Sequence, residues 1–209
     1  MSDAERGQLT LDSAEVYETF FVPALFAQWA PVVCDAALLD EGQRVVDVAC
    51  GTGVASRVAA ERVGPTGHVV GVDLNRGMLG VARDRAPGVD WREAAAERLP
   101  LDDDSVDAAI SQFGLMFFED RAAALRELRR VVRPGGRIAV AVWSSLERTP
   151  GWQELCALVG DVFGPEAAAA EAAPWARGGE PRKGDLHPPG GRGAAPQLGR
   201  PPPPPMAAQ

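Results

Sequence analysis

Short apolar runs and longer stretches with helical spacing alternate along the central part of the chain. The apolar runs, bounded by glycine, proline or acidic residues as in strands of a sheet covered on both faces, are residues 45–48, 68–73, 89–93, 106–111 and 137–143. The stretches that place apolar residues three or four positions apart, as amphipathic helices do, are residues 54–63, 75–86, 120–132 and 152–163. This alternation predicts an α/β fold with a doubly wound parallel sheet.

The two ends of the chain depart from this alternation. Residues 13–30 open with Ser13 as a helix cap and place Val16, Phe20, Leu25 and Trp29 at roughly helical spacing around Pro23. Because proline breaks or kinks a helix, we expect two short helices there, followed by a third over 31–39. We therefore expect N-terminal cap helices over 1–40, a cofactor-binding domain over 41–165 and a disordered Ala/Gly/Pro/Arg-rich tail over 166–209.

The most informative stretch is VVDVACGTGVAS, residues 45–56. It predicts a buried strand, a tight turn at Gly51 and Gly53, and the start of a helix. Glycine allows positive φ and lets a ligand approach the main chain closely. The N–H groups at the start of the helix favour an anionic group. The pattern therefore indicates a polar cofactor at this turn.

The residues around the turn distinguish between cofactors. A dinucleotide fingerprint requires a third glycine where Ser56 stands, so a nicotinamide dinucleotide is disfavoured. Asp47 lies inside an apolar strand and needs a partner such as an ammonium group. An amino-acid moiety, with one ammonium and one carboxylate, satisfies both Asp47 and the helix start. S-adenosyl-L-methionine carries such a moiety.

The motif D-x-A-C-G-T-G, residues 47–53, resembles the first motif of the class I S-adenosylmethionine-dependent methyltransferases. The chain from about 14 to about 162 resembles the branch that contains the ubiquinone/menaquinone C-methyltransferases. The resemblance implies a Rossmann-like sheet of strand order 3-2-1-4-5 with cap helices over the cofactor. It also implies C-terminal antiparallel strands, which we expect this chain to lack because its pattern ends near 174.

The resemblance and the strand positions together give a set of cofactor-binding candidates. Asp73 follows Gly53 by the spacing that brings a strand-end carboxylate to ribose hydroxyls, although a helix cap is its alternative role. Met78 is placed for the adenine edge or for the core. By resemblance Ala96 and Glu97 lie at the adenine, where Ala95 replaces a polar residue, and Tyr17 reaches the site as either a ligand contact or a core tyrosine. The complete set is Tyr17, Asp47, Ala49, Cys50, Gly51, Thr52, Gly53, Ser56, Asp73, Leu74, Met78, Ala96, Glu97 and Gln112.

Composition narrows the classes of partner. The net charge of −8 argues against a basic nucleic-acid-binding surface, so a small-molecule methyl acceptor is favoured. The chain has no apolar run long enough to predict stable membrane insertion and no signal pattern at its start, so we expect a cytoplasmic protein. The three cysteines suggest no disulfide framework, and the acidic run 102–104 is expected to be a solvated turn rather than a metal site.

The function expected from the sequence is in-line methyl transfer from S-adenosyl-L-methionine to that acceptor. No catalytic base is identified, and Tyr17 and Gln112 are the polar candidates near the methyl group. The alternative is a protein that binds the cofactor but has weak or no transferase activity, because substrate-side elements are missing. The tail from Pro174 is either a proline-rich ligand for a partner or, as we prefer, the product of a shifted reading frame.

Overall fold

The computed structural model of the chain describes residues 10–176. Its centre is a sheet of five parallel strands in the order β3-β2-β1-β4-β5, which confirms the predicted doubly wound fold. The strands are β1 (Arg44–Val48), β2 (His68–Asp73), β3 (Asp90–Glu93), β4 (Val106–Gln112) and β5 (Val132–Ala141). Strand order reverses between β1 and β4, so the carboxyl ends of these two strands flank a crevice where ligands of such sheets bind.

Helices cover both faces of the sheet. They are α1 (Leu11–Val16), α2 (Ala30–Ala36), α3 (Val54–Val63), α4 (Arg76–Arg85), α5 (Arg121–Val131), α6 (Pro150–Phe163) and α7 (Pro165–Ala176). Because strand side chains alternate between faces, Val45 joins the core beneath α2 and α3, whereas Val46 and Val48 join the core beneath α5. Asp47 shares the face of Val45 and therefore points toward α3. This placement puts a carboxylate beneath the start of that helix.

The N-terminal segment is continuous, so the predicted break at Pro23 is wrong. A π-helix, Tyr17–Phe26, runs through the proline and a 3₁₀ turn, Ala27–Trp29, joins it to α2. The helix start is capped by Thr10, whose hydroxyl accepts from the backbone N–H of Ser13 at 3.2 Å. A π-helix has more than four residues in each turn, so apolar positions chosen by α-helical spacing do not share its inner face, and Phe20 is exposed.

This N-terminal segment is also long and apolar. Leu11–Ala36 has a stretch of mean hydropathy 1.3, and among the described residues it is the one helical run whose length and composition suit a membrane span. Glu18 nevertheless lies within it, only 10% exposed and paired with Arg57 of α3. The segment is thus tied to the sheet domain by a polar contact that a membrane span would have to break.

At the other end of the described chain, β5 forms the edge of the sheet. The strand begins at Val132, opposite Val106, and resumes pairing at Arg137 after a bulge, so it starts earlier than predicted. The five strands of the described region are all parallel, as expected for a sheet without the antiparallel pair. Helix α7 occupies 165–176, so the predicted disordered tail does not begin at 166; the rest of that tail, 177–209, lies outside the described residues.

Candidate cofactor site

The turn after β1 carries three residues with positive φ. Ala49, Gly51 and Gly53 have φ of 57°, 56° and 85°. A side chain on Gly51 would meet nothing within 4 Å, whereas one on Gly53 would lie 2.4 Å from the ring of Trp91. The two glycines therefore serve different purposes. Gly51 leaves the main chain open to a ligand, and Gly53 makes room for a tryptophan while it begins α3.

The small residue Ala49 has a separate packing reason. A side chain on Gly114 would lie 2.5 Å from the Cβ of Ala49. The ends of β1 and β4 thus approach each other closely because both positions are small. Cys50 then turns inward, and its backbone N–H donates to the Val72 carbonyl at 3.1 Å. These contacts fix the turn against β2 and β4 before any ligand is present.

Asp47 is the central charged group of the site. It is 1% exposed, and its Oδ2 accepts a hydrogen bond from the Ser56 hydroxyl at 2.6 Å. Its Oδ1 is buried and has no hydrogen-bond partner among the described residues. Burial raises the pKa of Asp47 to about 7; the Ser56 bond opposes this shift and the charge of Asp73 adds to it. A buried carboxylate with a free oxygen requires a cationic partner.

Two further buried oxygen atoms lack partners near Asp47. They are Thr52 Oγ1 and Gln112 Oε1, again within residues 10–176. Gln112 is held by its own amide, whose Nε2 donates to the Phe26 carbonyl at 3.0 Å. All three residues line one pocket, together with Tyr17, Phe26, Ala49, Cys50, Gly51, Val54 and Ala55. Three hydrogen-bond acceptors at one pocket match the three donors of an ammonium group.

The first turn of α3 supplies donors to the same pocket. Val54 and Ala55 line it, and within the described chain no side chain caps the helix at Gly53. The first N–H groups of a helix have no partners inside the helix and lie at the positive end of its dipole. The pocket therefore combines acceptors for a cation with donors for an anion. An α-amino acid moiety presents both.

Asp73 ends β2 beside this turn. Its Oδ2 accepts from the backbone N–H of Gly51 and its Oδ1 from that of Asn75, both at 2.8 Å. Burial raises the pKa of Asp73, against the lowering effect of these bonds. The cap of α4 is Asn75, whose Oδ1 accepts from the Met78 N–H at 3.1 Å. The alternative role considered for Asp73, the helix cap, thus belongs to Asn75.

The other seven predicted residues do not line the pocket. Ser56 is engaged with Asp47, Leu74 is 56% exposed and Ala96 is buried beneath the α5 side of the sheet. Glu97 accepts from the backbone N–H of Asp120 at 3.1 Å and so fixes the start of α5. Met78 lies on the first turn of α4. Half of the fourteen predicted residues, Tyr17, Asp47, Ala49, Cys50, Gly51, Thr52 and Gln112, meet in one lining.

The lining includes Phe26, which the sequence did not single out. The rings of Tyr17 and Phe26 stack at 5.2 Å between centroids, and Phe21 stacks on Tyr17 at 6.1 Å. Residues nine positions apart lie on opposite sides of an α-helix of 3.6 residues per turn, but the wider π-helix brings them to one side. No α-helical pattern identifies Phe26 as a site residue, because its position depends on the π-helix.

An aromatic group extends from Phe26 along the ends of β4 and β5. The rings of Phe113 and Trp143 stack at 3.9 Å with 9° between their planes, and Trp29 meets Phe113 edge-on at 6.2 Å. Phe113 has φ of 55°, a strained conformation for a bulky residue. Its backbone N–H still donates to the Ala141 carbonyl at 2.9 Å. The side of the pocket beyond Gln112 is therefore aromatic and apolar.

Comparison with known proteins gives consistent matches to one class of protein. Residues 46–140 match the methyltransferase domain family. The demethylmenaquinone methyltransferase of Listeria welshimeri is 35% identical over 136 residues, 63% of this chain and 57% of that protein. The ubiquinone/menaquinone biosynthesis C-methyltransferase of Cupriavidus metallidurans is 40% identical over 128 residues, 57% of this chain and 53% of that protein. The chain thus spans just over half the length of these curated relatives.

A solved structure shows the same likeness. A S-adenosylmethionine-dependent methyltransferase from Aquifex aeolicus superposes with a TM-score of 0.54 at 25% identity, over 63% of this chain and 77% of that chain. The matched family segment, 46–140, runs from β1 almost to the end of β5. It includes Gln112 and the whole turn after β1, residues 49–53, hereafter the binding turn, but excludes the N-terminal segment that covers the pocket.

Proposed function

We propose that this chain binds S-adenosyl-L-methionine and transfers its methyl group to a small-molecule acceptor, because residues 46–140 match the methyltransferase domain family and a S-adenosylmethionine-dependent methyltransferase has a similar structure. The observation that carries the proposal is the buried Oδ1 of Asp47, which has no partner within the described residues and lies at the pocket beside Thr52 and Gln112. A buried carboxylate there is stabilised by the ammonium group of the methionine moiety.

The proposed roles of the other residues follow from their contacts. Gly51 leaves space for the methionine chain, and the first N–H groups of α3 face its carboxylate. Asp73 keeps lone pairs for ribose hydroxyls beyond the two backbone bonds that it already accepts. The resemblance, rather than a contact, assigns Met78 and the backbone of Ala96 to the adenine. Tyr17 and Phe26 cover the pocket from the N-terminal segment.

The proposed mechanism places little chemical demand on the protein. When bound, the cofactor supplies an activated methyl group on a sulfonium. The chain then has to align the acceptor with that methyl and exclude water. The stacked rings of Phe113 and Trp143 give the acceptor side an apolar wall. Burial raises the pKa of Tyr17 well above its ordinary value, and the charges of Asp73 and Glu18 add to the shift, so we assign this phenol no role as a base at neutral pH.

A cofactor-binding protein without transferase activity is the second candidate. The observation in its favour concerns the titratable side chains of the described pocket lining: Asp47 and Cys50 are buried, Tyr17 is half-buried, and all three have raised pKa values. None of them is poised to remove a proton at neutral pH while Asp47 holds the cofactor. An acceptor that carries its own acidic group removes the need for such a base.

Two experiments test the proposal. Calorimetric titration with S-adenosylhomocysteine, S-adenosylmethionine and NAD should show binding of the first two ligands alone. Incorporation of labelled methyl into a panel of phenolic and quinol acceptors should then show transfer. Binding without transfer to any acceptor favours the second candidate, and the absence of binding contradicts both.

We also propose a cytoplasmic location, because Arg57 and Gln112 bond the apolar N-terminal segment to the sheet domain.

A further inference from the structure

One arginine joins the two parts of the molecule that enclose the pocket. Arg57 is the fourth residue of α3, and its Nη1 donates to the Thr52 carbonyl of the binding turn at 2.8 Å. Its Nη2 donates to Glu18 Oε1 of the N-terminal segment, also at 2.8 Å. A single planar guanidinium thus bonds to the binding turn and to the N-terminal segment at the same time. Only a forked group makes two such bonds in fixed relative directions.

The ion pair between Arg57 and Glu18 is partly buried and therefore differs from an ion pair on the surface. Arg57 is 26% exposed and Glu18 only 10%, so solvent and salt screen the pair less than they screen an exposed one. Glu18 is the neighbour of Tyr17, whose ring lines the pocket and stacks on Phe26. Fixing Glu18 therefore fixes the part of the N-terminal segment that faces the ligand.

We propose that Arg57 is a positioning residue that couples closure of the N-terminal segment to the geometry of the binding turn. The inference rests on the proposed function, since it takes S-adenosyl-L-methionine or its product as the enclosed ligand. Release of that ligand requires the segment to move away from the turn, which breaks the Arg57–Glu18 contact. Loss of the bridge accelerates dissociation of the ligand, whereas association changes little because entry begins from the open segment.

The chain provides a matched control on the same helix. Arg62 is also 26% exposed, and it also joins a carboxylate to a backbone carbonyl: Asp35 at 2.6 Å and Pro31 at 3.0 Å. Both of these partners belong to α2, and neither lines the pocket. The two arginines therefore make the same kinds of bond from one helix. They differ in whether the bridge includes the binding turn, and in the exposure of the carboxylate, which is 10% for Glu18 and 71% for Asp35.

The test measures association and dissociation of S-adenosylhomocysteine by stopped flow, on the full chain and the variants Arg57→Met, Glu18→Gln, Arg57→Met/Glu18→Gln and Arg62→Met. From the loss of two charge-assisted bonds we expect Arg57→Met to raise the dissociation rate about 20-fold, and Glu18→Gln about fivefold. The double variant should match Arg57→Met, because Glu18 acts through the arginine. Arg62→Met should stay within about twofold of the unmodified chain.

The outcomes distinguish a failure of the role proposed for Arg57 from a failure of the proposed function. Equal acceleration by Arg57→Met and Arg62→Met overturns the role of Arg57 while it leaves the proposed function standing. An unmodified chain that does not bind S-adenosylhomocysteine overturns both. If Arg57→Met does not fold, Glu18→Gln is compared with Asp35→Asn, since each change is isosteric and removes one of the two ion pairs. Faster dissociation in Glu18→Gln alone supports the coupling, and equal rates in the two variants exclude it.

Discussion

The binding turn and the N-terminal segment face each other across the pocket but reach their shapes in opposite ways. Residues 49–53 follow a buried strand and contain glycines where φ is positive, so local sequence sets their course. The N-terminal segment, Leu11–Trp29, has a proline in its middle and an apolar pattern typical of α-helix, yet its central part, Tyr17–Phe26, forms a π-helix. Its register depends on distant partners, Arg57 for Glu18 and Gln112 for the Phe26 carbonyl.

The binding turn and the N-terminal segment offer different groups to a ligand. The turn and the strand before it offer rigid polar groups with unsatisfied atoms, which include Thr52 Oγ1 and Asp47 Oδ1 within the described chain. The segment offers aromatic surface and is attached by a few polar contacts. Segments with few such attachments are the ones that open most easily. We therefore expect changes in the turn to abolish affinity and changes in the segment to alter it by smaller factors.

The largest effect is expected from Gly51→Val. The new side chain occupies the open space beside Gly51, so S-adenosylhomocysteine should bind at least about 100-fold more weakly, a loss of roughly 3 kcal/mol. Calorimetric titration measures this loss. Gly135→Val is the control, because Gly135 also has positive φ and open space but lies in the β5 bulge. Retained micromolar binding in Gly51→Val would place the ligand elsewhere.

Asp73→Ala should have the next largest effect. It removes a proposed ribose acceptor and frees the N–H groups of Gly51 and Asn75, so we expect affinity to fall by roughly 1.5–3 kcal/mol. The matched change is Asn75→Ala, which removes the cap of α4 at a cost of about 1 kcal/mol of stability but no proposed ligand contact. If both variants bind S-adenosylhomocysteine equally well, Asp73 has a structural role only.

Asp47→Asn should weaken S-adenosylhomocysteine binding about tenfold at pH 8, because an amide oxygen replaces a charged acceptor of the ammonium group. Calorimetric titration at pH 8 measures this loss.

Asp47→Asn should also stabilise the unliganded fold at pH 8. Burial raises the pKa of Asp47 from 3.8 to about 7, so the protonated group stabilises the fold at low pH, and this contribution is lost as pH rises through 7. Thermal unfolding at pH 5 and pH 8 measures the difference.

The affinity of the unmodified chain should follow the same titration. Below pH 7 Asp47 takes up a proton and loses its attraction for the ammonium group, so affinity for S-adenosylhomocysteine should fall as the pH decreases from 8 to 6. Ser56→Ala removes the hydroxyl that donates to Asp47 and should move the midpoint of this fall to higher pH. A flat profile in the unmodified chain would show that Asp47 does not hold the ammonium group.

The smallest effect on ligand affinity is expected from Tyr17→Phe, in the N-terminal segment. The ring and its stacking on Phe26 remain, so affinity should change less than about threefold, as for loss of one partly solvated hydroxyl bond. Tyr17→Ala removes the ring as well and should weaken binding more. A loss of methyl transfer in Tyr17→Phe with unchanged affinity would instead assign the hydroxyl a catalytic contact.

Sequence alone determined the parts of this protein that are specified locally. Apolar alternation and glycine positions predicted five strands in order and the turn after β1, because burial on both faces and positive φ restrict which residues fit. The same reasoning indicated that Asp47 needs a cationic partner. The resemblance supplied strand order and cofactor, and the structure confirmed the order. The roles of the individual site residues stay predictions.

Tertiary structure decided what depends on partners far apart in the chain. The π-helical register that brings Phe26 beside Tyr17 is one such feature, and the assignment of the α4 cap to Asn75 rather than Asp73 is another. The bridge from Glu18 through Arg57 to Thr52 joins residues 39 positions apart. The sequence shows that Glu18 and Arg57 are charged, but it does not show that they form an ion pair. Helical propensity acts locally, whereas a contact between distant residues forms only after the sheet has fixed where each helix lies.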